Sequence, residues 1–414
     1  MTTRYAAQSR VVSTVSPELF DGRLRPGDGA GRWDAYLAAP TVQSHAAMLH
    51  RLGNGDLGLA WFGGTQEGVG DVSVWFSRLP DGAEAWTTPV RLTDDDTRSE
   101  QNPVLFRTPA GPLWLLYTAQ RAGHQDTAEV RRRVSRDDGA SWSDAETVFG
   151  ADEQGGVFVR QPVVVTASGR WLLPVFRCAR VPGQAWSGDH DTSSVMISTD
   201  EGTTWREVAV PGSTGCVHMN VVELGDGSLH ALFRSRWADF VHESRSTDDG
   251  ESWSPPVPTA LPNNNSSLQQ QRLADGRLAL VYNHASREDA TGRRENLYDE
   301  IGDDGLVEPA AQTTPAEAPG AKGTDDARTA FWGAPRAPLS LAFSSDGGAT
   351  FEVAGDLDEG DGYCLTNNSR DRLNRELSYP AVHQAPDGSL DVAYTWHRQT
   401  IKHVRIPAGW RQGA

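Results

Sequence analysis

Short apolar runs recur along this chain, each opening just after a glycine turn. Leu57-Gly-Leu-Ala-Trp61 follows Asn54-Gly55, and Leu113-Trp-Leu-Leu-Tyr117 follows Ala110-Gly111. Trp171-Leu-Leu-Pro-Val175 follows Ser168-Gly169, and Leu229-His-Ala-Leu-Phe233 follows Asp226-Gly227. Leu278-Ala-Leu-Val-Tyr282 and Leu390-Asp-Val-Ala-Tyr394 follow Asp275-Gly276 and Asp387-Gly388. A glycine turn between β-rich runs is a hairpin signal. The turns are spaced by roughly 50 to 60 residues, apart from a last gap about twice as long, and four strands per unit of that period make a β-propeller.

A second unit interleaves with the first. Ser135-Arg-Asp137-Asp-Gly139-Ala-Ser-Trp142 reads S-x-D-x-G-x-x-W, as do Ser198 to Trp205 and Ser246 to Trp253. Ser344 to Phe351 carries Phe in place of Trp, and Ser77 to Trp86 is a degenerate fifth copy. Here Asp accepts bonds from the turn's own backbone, Gly supplies a positive φ, and the aromatic ring pins the turn to the sheet. This is a folding device with no catalytic role.

These patterns predict one all-β domain over residues 1–414, a six-bladed β-propeller with four-stranded blades. The long gap is read as an insertion in the fifth blade over 286–334, a polar, Pro/Gly/Ala-rich stretch of the kind that forms lids or stays disordered. The C-terminal run Ile401–Ile406 is expected to pair with a strand from near the N-terminus and close the ring, removing open sheet edges.

Composition supports the strand-rich reading: 42 Gly, 24 Pro and 14 Trp stand against 4 Met. With 38 Lys+Arg and 55 Asp+Glu the net charge is −17, which repels phosphate backbones and argues against a nucleic-acid partner. No apolar run approaches a membrane span and the N-terminus lacks a secretory core, so a cytoplasmic location is expected. Cys178, Cys216 and Cys364 lie far apart, which fits a reducing compartment rather than a disulfide framework.

In a propeller the innermost strands line a central channel, so a site gathers where one register position recurs. Nine residues before each turn glycine, ten in the first blade, stand His45, Asn102, Arg160, His218, Ser267 and Tyr379. All six are polar within apolar flanks. Convergent polar groups make a pocket, whereas solvated strand starts would need polar residues too; the pocket is favoured. For His50, His124, His190, His284 and His403 a structural role is favoured. Arg234, Arg236 and Arg336 offer planar forks for a carboxylate, against the blander reading of surface ion pairs. A metal at His45, His218 and Glu67 lacks ligand-motif spacing, and no cofactor is expected.

The four S-x-D-x-G units resemble the Asp-box (BNR) repeats of the sialidase superfamily. The resemblance runs from about His45 to the C-terminus and includes Trp61-Phe-Gly-Gly-Thr-Gln-Glu-Gly68, Val221 to Leu229, Val281-Tyr-Asn-His284, Glu376-Leu-Ser-Tyr-Pro-Ala381 and Tyr394-Thr-Trp396. Sialidases use three arginines on the substrate carboxylate, a nucleophilic Tyr assisted by a Glu, and an acidic acid/base residue. The resemblance implies Tyr379 as nucleophile and Arg234 with Arg336 as the second and third arginines. His45 occupies the place of the first arginine, and His218 that of the assisting Glu. Glu67 lies one residue from the acid/base position and serves as proton donor. Arg160, Asn102 and Ser267 complete a binding surface. A Tyr nucleophile needs a base, since its free pKa is about 10; His218 can supply it. A protonated His45 would partly replace the missing arginine, so activity is expected to favour mildly acidic pH.

Three readings stand. The first is a sialidase-type glycoside hydrolase releasing a terminal acidic sugar. The second is a lyase performing β-elimination on a uronate, with Arg neutralising the carboxylate and His and Tyr moving protons. The third is a non-catalytic glycan-binding propeller. All three take an acidic or highly hydroxylated saccharide, and the oligomeric state is left open.

Overall fold

The computed structural model describes residues 15–294, 328–367, 369 and 371–413, plus the backbone of two-residue strands at 301–302, 305–306 and 314–315. Among the described residues the fold is all-β, with two short 3₁₀ turns and no α-helix. No helix among them is long and apolar enough to cross a membrane.

Six antiparallel sheets form a ring, as the periodicity predicts. Blade I comprises Gln43–Arg51, Leu57–Gly64, Ser73–Leu79 and Val90–Arg91. Blade II follows with Arg98–Arg107, Leu113–Arg121, His124–Ser135 and Glu146–Phe149. Blade III has a broken inner strand, Gly155–Val159 then Val164–Val165, followed by Trp171–Ala179, Thr192–Ser198 and Arg206–Ala209. Blade IV holds Cys216–Glu223, Leu229–Ser235, Phe240–Ser246 and Val257–Pro262. Blade V holds Gln269–Arg272, Leu278–Asn283, Leu339–Ser344 and Glu352–Asp358. Blade VI is made of Leu377–Gln384, Leu390–Trp396 and Thr400–Ile406, and the N-terminal strand Trp33–Tyr36 completes it, pairing Trp33 with Arg405 and Tyr36 with Lys402. That pairing is the predicted closure.

The six apolar runs are the second strands, buried on both faces because each blade stacks on its neighbours; Leu57–Gly64 and Leu229–Ser235 are buried throughout. The S-x-D-x-G units sit at the hairpin between third and fourth strands. Asp137 accepts from Ser135 Oγ at 2.8 Å, Ser141 N at 2.8 Å and Ser141 Oγ at 2.6 Å, and Ser135 Oγ accepts from Gly139 N at 2.8 Å. Each unit also leans on the preceding blade. A Cβ on Gly202, at φ +78°, would lie 2.5 Å from Trp114 of blade II. The units therefore fasten blade to blade, far from the chemistry.

In blade V, Leu278–Asn283 pairs directly with Leu339–Ser344. The lid expected over 286–334 lies largely outside the described residues. All three cysteines are buried and free.

Candidate functional site

Antiparallel blades give the ring two unlike faces. First strands begin, and second strands end, on one face; the glycine turns and the S-x-D-x-G hairpins lie on the other. The candidate site belongs to the first face and draws on both kinds of position there.

In four of the six blades the recurrence nine residues before the turn glycine is a backbone bulge. Register shifts interrupt the inner strands between His45 and Met48, Gln101 and Val104, Val217 and Asn220, and Ser378 and Ala381. Ala46, Asn102, His218 and Tyr379 stand at these breaks with φ of 62°, 50°, 54° and 52°. In blade I the recurring residue is thus Ala46, and His45 is its neighbour. In blade V the left-handed residue is Asn265, at φ 58°, two positions before Ser267. A bulge re-aims the side chains beside it, and a non-glycine residue at positive φ costs about 1–3 kcal/mol. Bulky His and Tyr held that way mark a place where geometry is imposed.

Tyr379 lies at the centre and is buried. Arg234 Nη1 donates to its Oη at 2.5 Å, and Arg234 Nε donates to Asn265 Oδ1 at 2.7 Å. The His45 and His218 rings flank the phenol, at 4.2 and 5.5 Å between centroids. His218 Nε2 lies 3.5 Å from Arg234 Nη1. His45 Nδ1 bonds Thr395 Oγ1 at 2.7 Å. His45 Nε2 and His218 Nδ1 are buried without a protein partner.

The other predicted residues divide. Arg336 joins the cluster; Arg336 Nη1 donates to Glu376 Oε2 at 2.5 Å, and its guanidinium lies 5.6 Å from the Tyr379 ring centroid. Glu67 is buried and accepts from Arg398 Nη1 at 2.7 Å, which opposes the role of proton donor. Arg160 does not face an opening. Its Nη2 donates to Tyr379 O at 3.1 Å and Pro380 O at 3.2 Å, its Nη1 to Ala47 O at 3.1 Å, and its Nε to Ser267 Oγ at 3.3 Å. Arg160 and Ser267 thus support the backbone of Tyr379. Asn102 occupies the equivalent bulge of blade II and gives no hydrogen bond to this cluster among the described residues. Nor do the described residues hold a group of three or more His, Cys, Asp or Glu side chains that fits a metal ion.

Four contributors were not anticipated: Glu376, Arg398, Asn265 and Asp191. Glu376 accepts from both Arg336 and Arg398. Asp191 holds Arg236, with Oδ2 accepting at 2.7 Å. Arg398 follows the second strand of blade VI much as Arg234 and Arg236 close that of blade IV, and this shared position was the available signal.

Electrostatics follow from the count. Five buried guanidiniums, of Arg160, Arg234, Arg236, Arg336 and Arg398, face three buried carboxylates, of Glu67, Glu376 and Asp191. Burial pushes Arg234 down to about 9 and Arg160 to about 10. Burial alone would raise Glu376, but Arg398 and Arg336 outweigh it and hold the carboxyl at about 2. Burial, then the nearby arginines, drives His45 and His218 well below the ordinary histidine value. Both shifts disfavour the protonated imidazole, which counts against a protonated His45 in the place of an arginine. The cluster keeps an excess of positive charge and two unsatisfied imidazole nitrogens around a phenol.

A family model described as a BNR repeat-like domain matches residues 55–392. The chain belongs to the BNR repeat-like family. It stands within the sialidase-like superfamily, as its relatives also indicate. This BNR-repeat protein is 29% identical over 178 residues to the anhydrosialidase of Macrobdella decora, a match covering 41% of this chain and 22% of that protein. Its propeller superposes on a Hadza microbial sialidase with a TM-score of 0.61 at 13% identity, covering 88% of this chain and 66% of the other. An intramolecular trans-sialidase from Ruminococcus gnavus gives a TM-score of 0.58 at 15% identity, over 90% and 96% of the two chains. At these identities the structural likeness establishes the fold. The chain spans about a fifth of its curated relative and just under two thirds of the microbial sialidase.

Proposed function

We propose that this BNR-repeat propeller is a carbohydrate-active enzyme that cleaves the bond to a terminal acidic sugar, with Tyr379 as nucleophile. One observation carries the reading: the Tyr379 phenol is held at 2.5 Å by Arg234, inside a buried cluster with two imidazoles that each keep one nitrogen without a protein partner. A neutral His218 is the form that accepts the phenol proton as Tyr379 Oη attacks the anomeric carbon. Arg234 and Arg336 bind the sugar's carboxylate, and the excess positive charge favours an anionic ligand. The saccharide partner accords with the relatives, whose names record sialidase and trans-sialidase activity.

A specific observation favours a second reading, β-elimination on a uronate. Glu67 and Glu376 are both committed to arginines. A hydrolase must protonate the leaving oxygen, and both of these carboxylates already accept bonds from arginines. Elimination asks nothing of either carboxylate: Arg beside the sugar carboxylate acidifies the adjacent C–H, a His removes that proton, and Tyr379 gives its own to the leaving oxygen.

The test is incubation with sialylated and uronate-terminated oligosaccharides, followed by mass spectrometry and ultraviolet absorbance. Scission with gain of water supports hydrolysis. Scission without water and with a new absorbance supports elimination; without the absorbance it marks an internal anhydro product. Saturable binding with no scission, unaltered in Tyr379→Phe, would make the propeller a glycan-binding module and sink both enzymatic readings.

A further inference from the structure

His45 and Thr395 meet across the seam between blades I and VI. Ala46, at a φ of 62°, stands at the break in the blade I ladder, and its N–H donates to Thr395 Oγ1 at 3.1 Å. His45 Nδ1 bonds the same hydroxyl at 2.7 Å. His45 and Thr395 are both fully buried, and Thr395 Oγ1 has no third partner among the described residues. In the second strand of blade VI, Thr395 lies opposite Ser378, the residue before the left-handed Tyr379. One hydroxyl thus ties the bulge of blade I to that of blade VI.

A hydroxyl has one proton to give and two lone pairs with which to accept. The Ala46 N–H fills one lone pair. Were Nδ1 also a donor, the Thr395 proton would be buried with no acceptor, and the His45 Nε2 lone pair would be a second orphan. With the Thr395 proton on the Nδ1 lone pair, only the Nε2 proton lacks a protein partner. Buried polar groups are rarely left unpaired, so the arrangement with one orphan is the stable one. Glu376 does not reverse this. Its Oε1 lies 3.9 Å from Nδ1, beyond hydrogen-bond reach, and already accepts from Arg398. The guanidiniums of Arg398, Arg336, Arg160 and Arg234 further disfavour a second proton on the ring. His218 is set the other way. An arginine only donates, so the 3.5 Å contact with Arg234 Nη1 makes His218 Nε2 the lone pair and puts the proton on Nδ1.

We propose that Thr395 is a positioning residue that fixes His45 as its Nε2–H tautomer, so that His45 donates a hydrogen bond to an oxygen of the bound acidic sugar and leaves the role of base to His218. The sugar rests on the functional reading above, whereas the tautomer rests on the Thr395 hydroxyl. Nε2 is the ring nitrogen turned away from Thr395, buried and without a protein acceptor. A buried N–H of that kind calls for an acceptor from outside the chain, and a carboxylate oxygen can only accept. The excess of guanidinium around Tyr379 draws an anion to the same place. His218 keeps its lone pair beside Arg234 Nη1, the atom that also holds Tyr379 Oη, so that lone pair belongs to the phenol's side of the cluster. The two imidazoles thus divide the work, one giving a hydrogen bond and the other taking a proton. In the elimination reading the same division names His218, and not His45, as the group that removes the C–H proton.

The experiment reads the ring protons directly, by long-range proton–nitrogen NMR of the full chain labelled with nitrogen-15 at its histidines, the His45 signals being assigned by their loss in His45→Gln. The expected wild-type signature is a protonated Nε2 with a bare Nδ1 at His45, and the reverse at His218. Thr395→Val keeps the shape of the side chain and removes the hydroxyl, so the single Nε2–H signature is expected to be lost; Thr395→Ser is expected to restore it. A protonated Nδ1 at His45 in the wild type overturns the proposal, whether or not any variant folds, and so does an unaltered signature in Thr395→Val. Calorimetric titration with sialic acid and galacturonic acid supplies the second arm. Affinity is expected to fall about tenfold in Thr395→Val, with unchanged circular dichroism, and to return in Thr395→Ser. With a glycan that is turned over, the loss should appear in KM; a fall in kcat alone would make His45 the base and overturn its role as donor. Should no acidic sugar bind or react while the tautomer and its dependence on Thr395 hold, the enzymatic reading falls and the hold of Thr395 on His45 stands.

Discussion

Arg234 Nη1 lies 2.5 Å from Tyr379 Oη, and both groups are buried. The contact joins the end of a second strand in blade IV to a bulge in the first strand of blade VI, so only ring closure brings it about. If the phenol is the reacting group, Tyr379→Phe removes one oxygen and little packing. The expected outcome is a fall in kcat of roughly 10³-fold or more with an unchanged melting temperature. Arg234→Lys keeps the charge but loses the planar fork and its bond to Asn265, so an intermediate loss is expected. Steady-state kinetics on whichever acidic glycan proves active, with thermal melts of the same preparations, check both.

Acid should destabilise the fold through histidines that folding keeps neutral. His45 and His218 are held well below their ordinary value by burial and by the arginines, and burial brings His50 and His397 to about 4. The unfolded chain protonates these groups near 6.5, so below that pH it binds more protons than the folded chain. Stability is full above that range and falls as pH drops through it, by about 1.4 kcal/mol per pH unit for each such imidazole. The expected result is a steep loss of urea resistance between pH 7 and 5, flattened by His45→Gln. Activity, where present, should not rise over the same interval; an optimum that climbs toward pH 5 would contradict a neutral His218.

The ring was legible in the sequence because its cause is local. Each glycine turn and each Ser-x-Asp-x-Gly hairpin is specified by residues within a few positions, so periodicity exposes the blades directly. The site was half legible for the same reason. Tyr379, His218 and Asn102 share an offset from their turns because the bulge has a fixed place in the inner strand. Glu376 and Arg398 lie outside that offset, and nothing near them in the chain announces that they meet. Arg160 shows the opposite limit: it holds the recurring position, and its side chain bonds the carbonyls of Ala47, Tyr379 and Pro380, which no offset in the sequence announces. Residue type reveals a capacity for bonding, and the closed ring decides which partner claims it.

Glu376 is the anion on which two arginines depend. Removing its charge leaves Arg336 and Arg398 facing each other with only Glu67 nearby. Breaking a buried pair by deleting one partner costs about 3–5 kcal/mol, because the other charge stays desolvated. Glu376→Gln is expected to lose stability of that size in urea denaturation at pH 7. The loss should shrink toward pH 3 as the native carboxyl, held at about 2, becomes the wild type's own acid liability. An equal loss at both pH values would show that packing rather than charge sets the effect.

Arg160 offers the sharpest separation of support from chemistry. Its guanidinium reaches from blade III to carbonyls of blades I and VI and to Ser267 at the start of blade V. Arg160→Met fills much the same volume and removes every one of those donors. Each buried acceptor left alone costs about 1–3 kcal/mol. Against that, the variant removes a buried cation that has no carboxylate partner of its own and whose pKa burial has already lowered to about 10. The two effects oppose, and with three carbonyls affected the unsatisfied acceptors win, so a net loss of about 2–4 kcal/mol is expected. The carbonyl of Tyr379 is among those released, and its left-handed backbone then lacks its clamp. In an active enzyme kcat should fall about tenfold or more with KM little changed, since small misplacements of a reacting group are costly. A rise in KM alone would instead show Arg160 binding substrate, and the axial clamp would have to be abandoned.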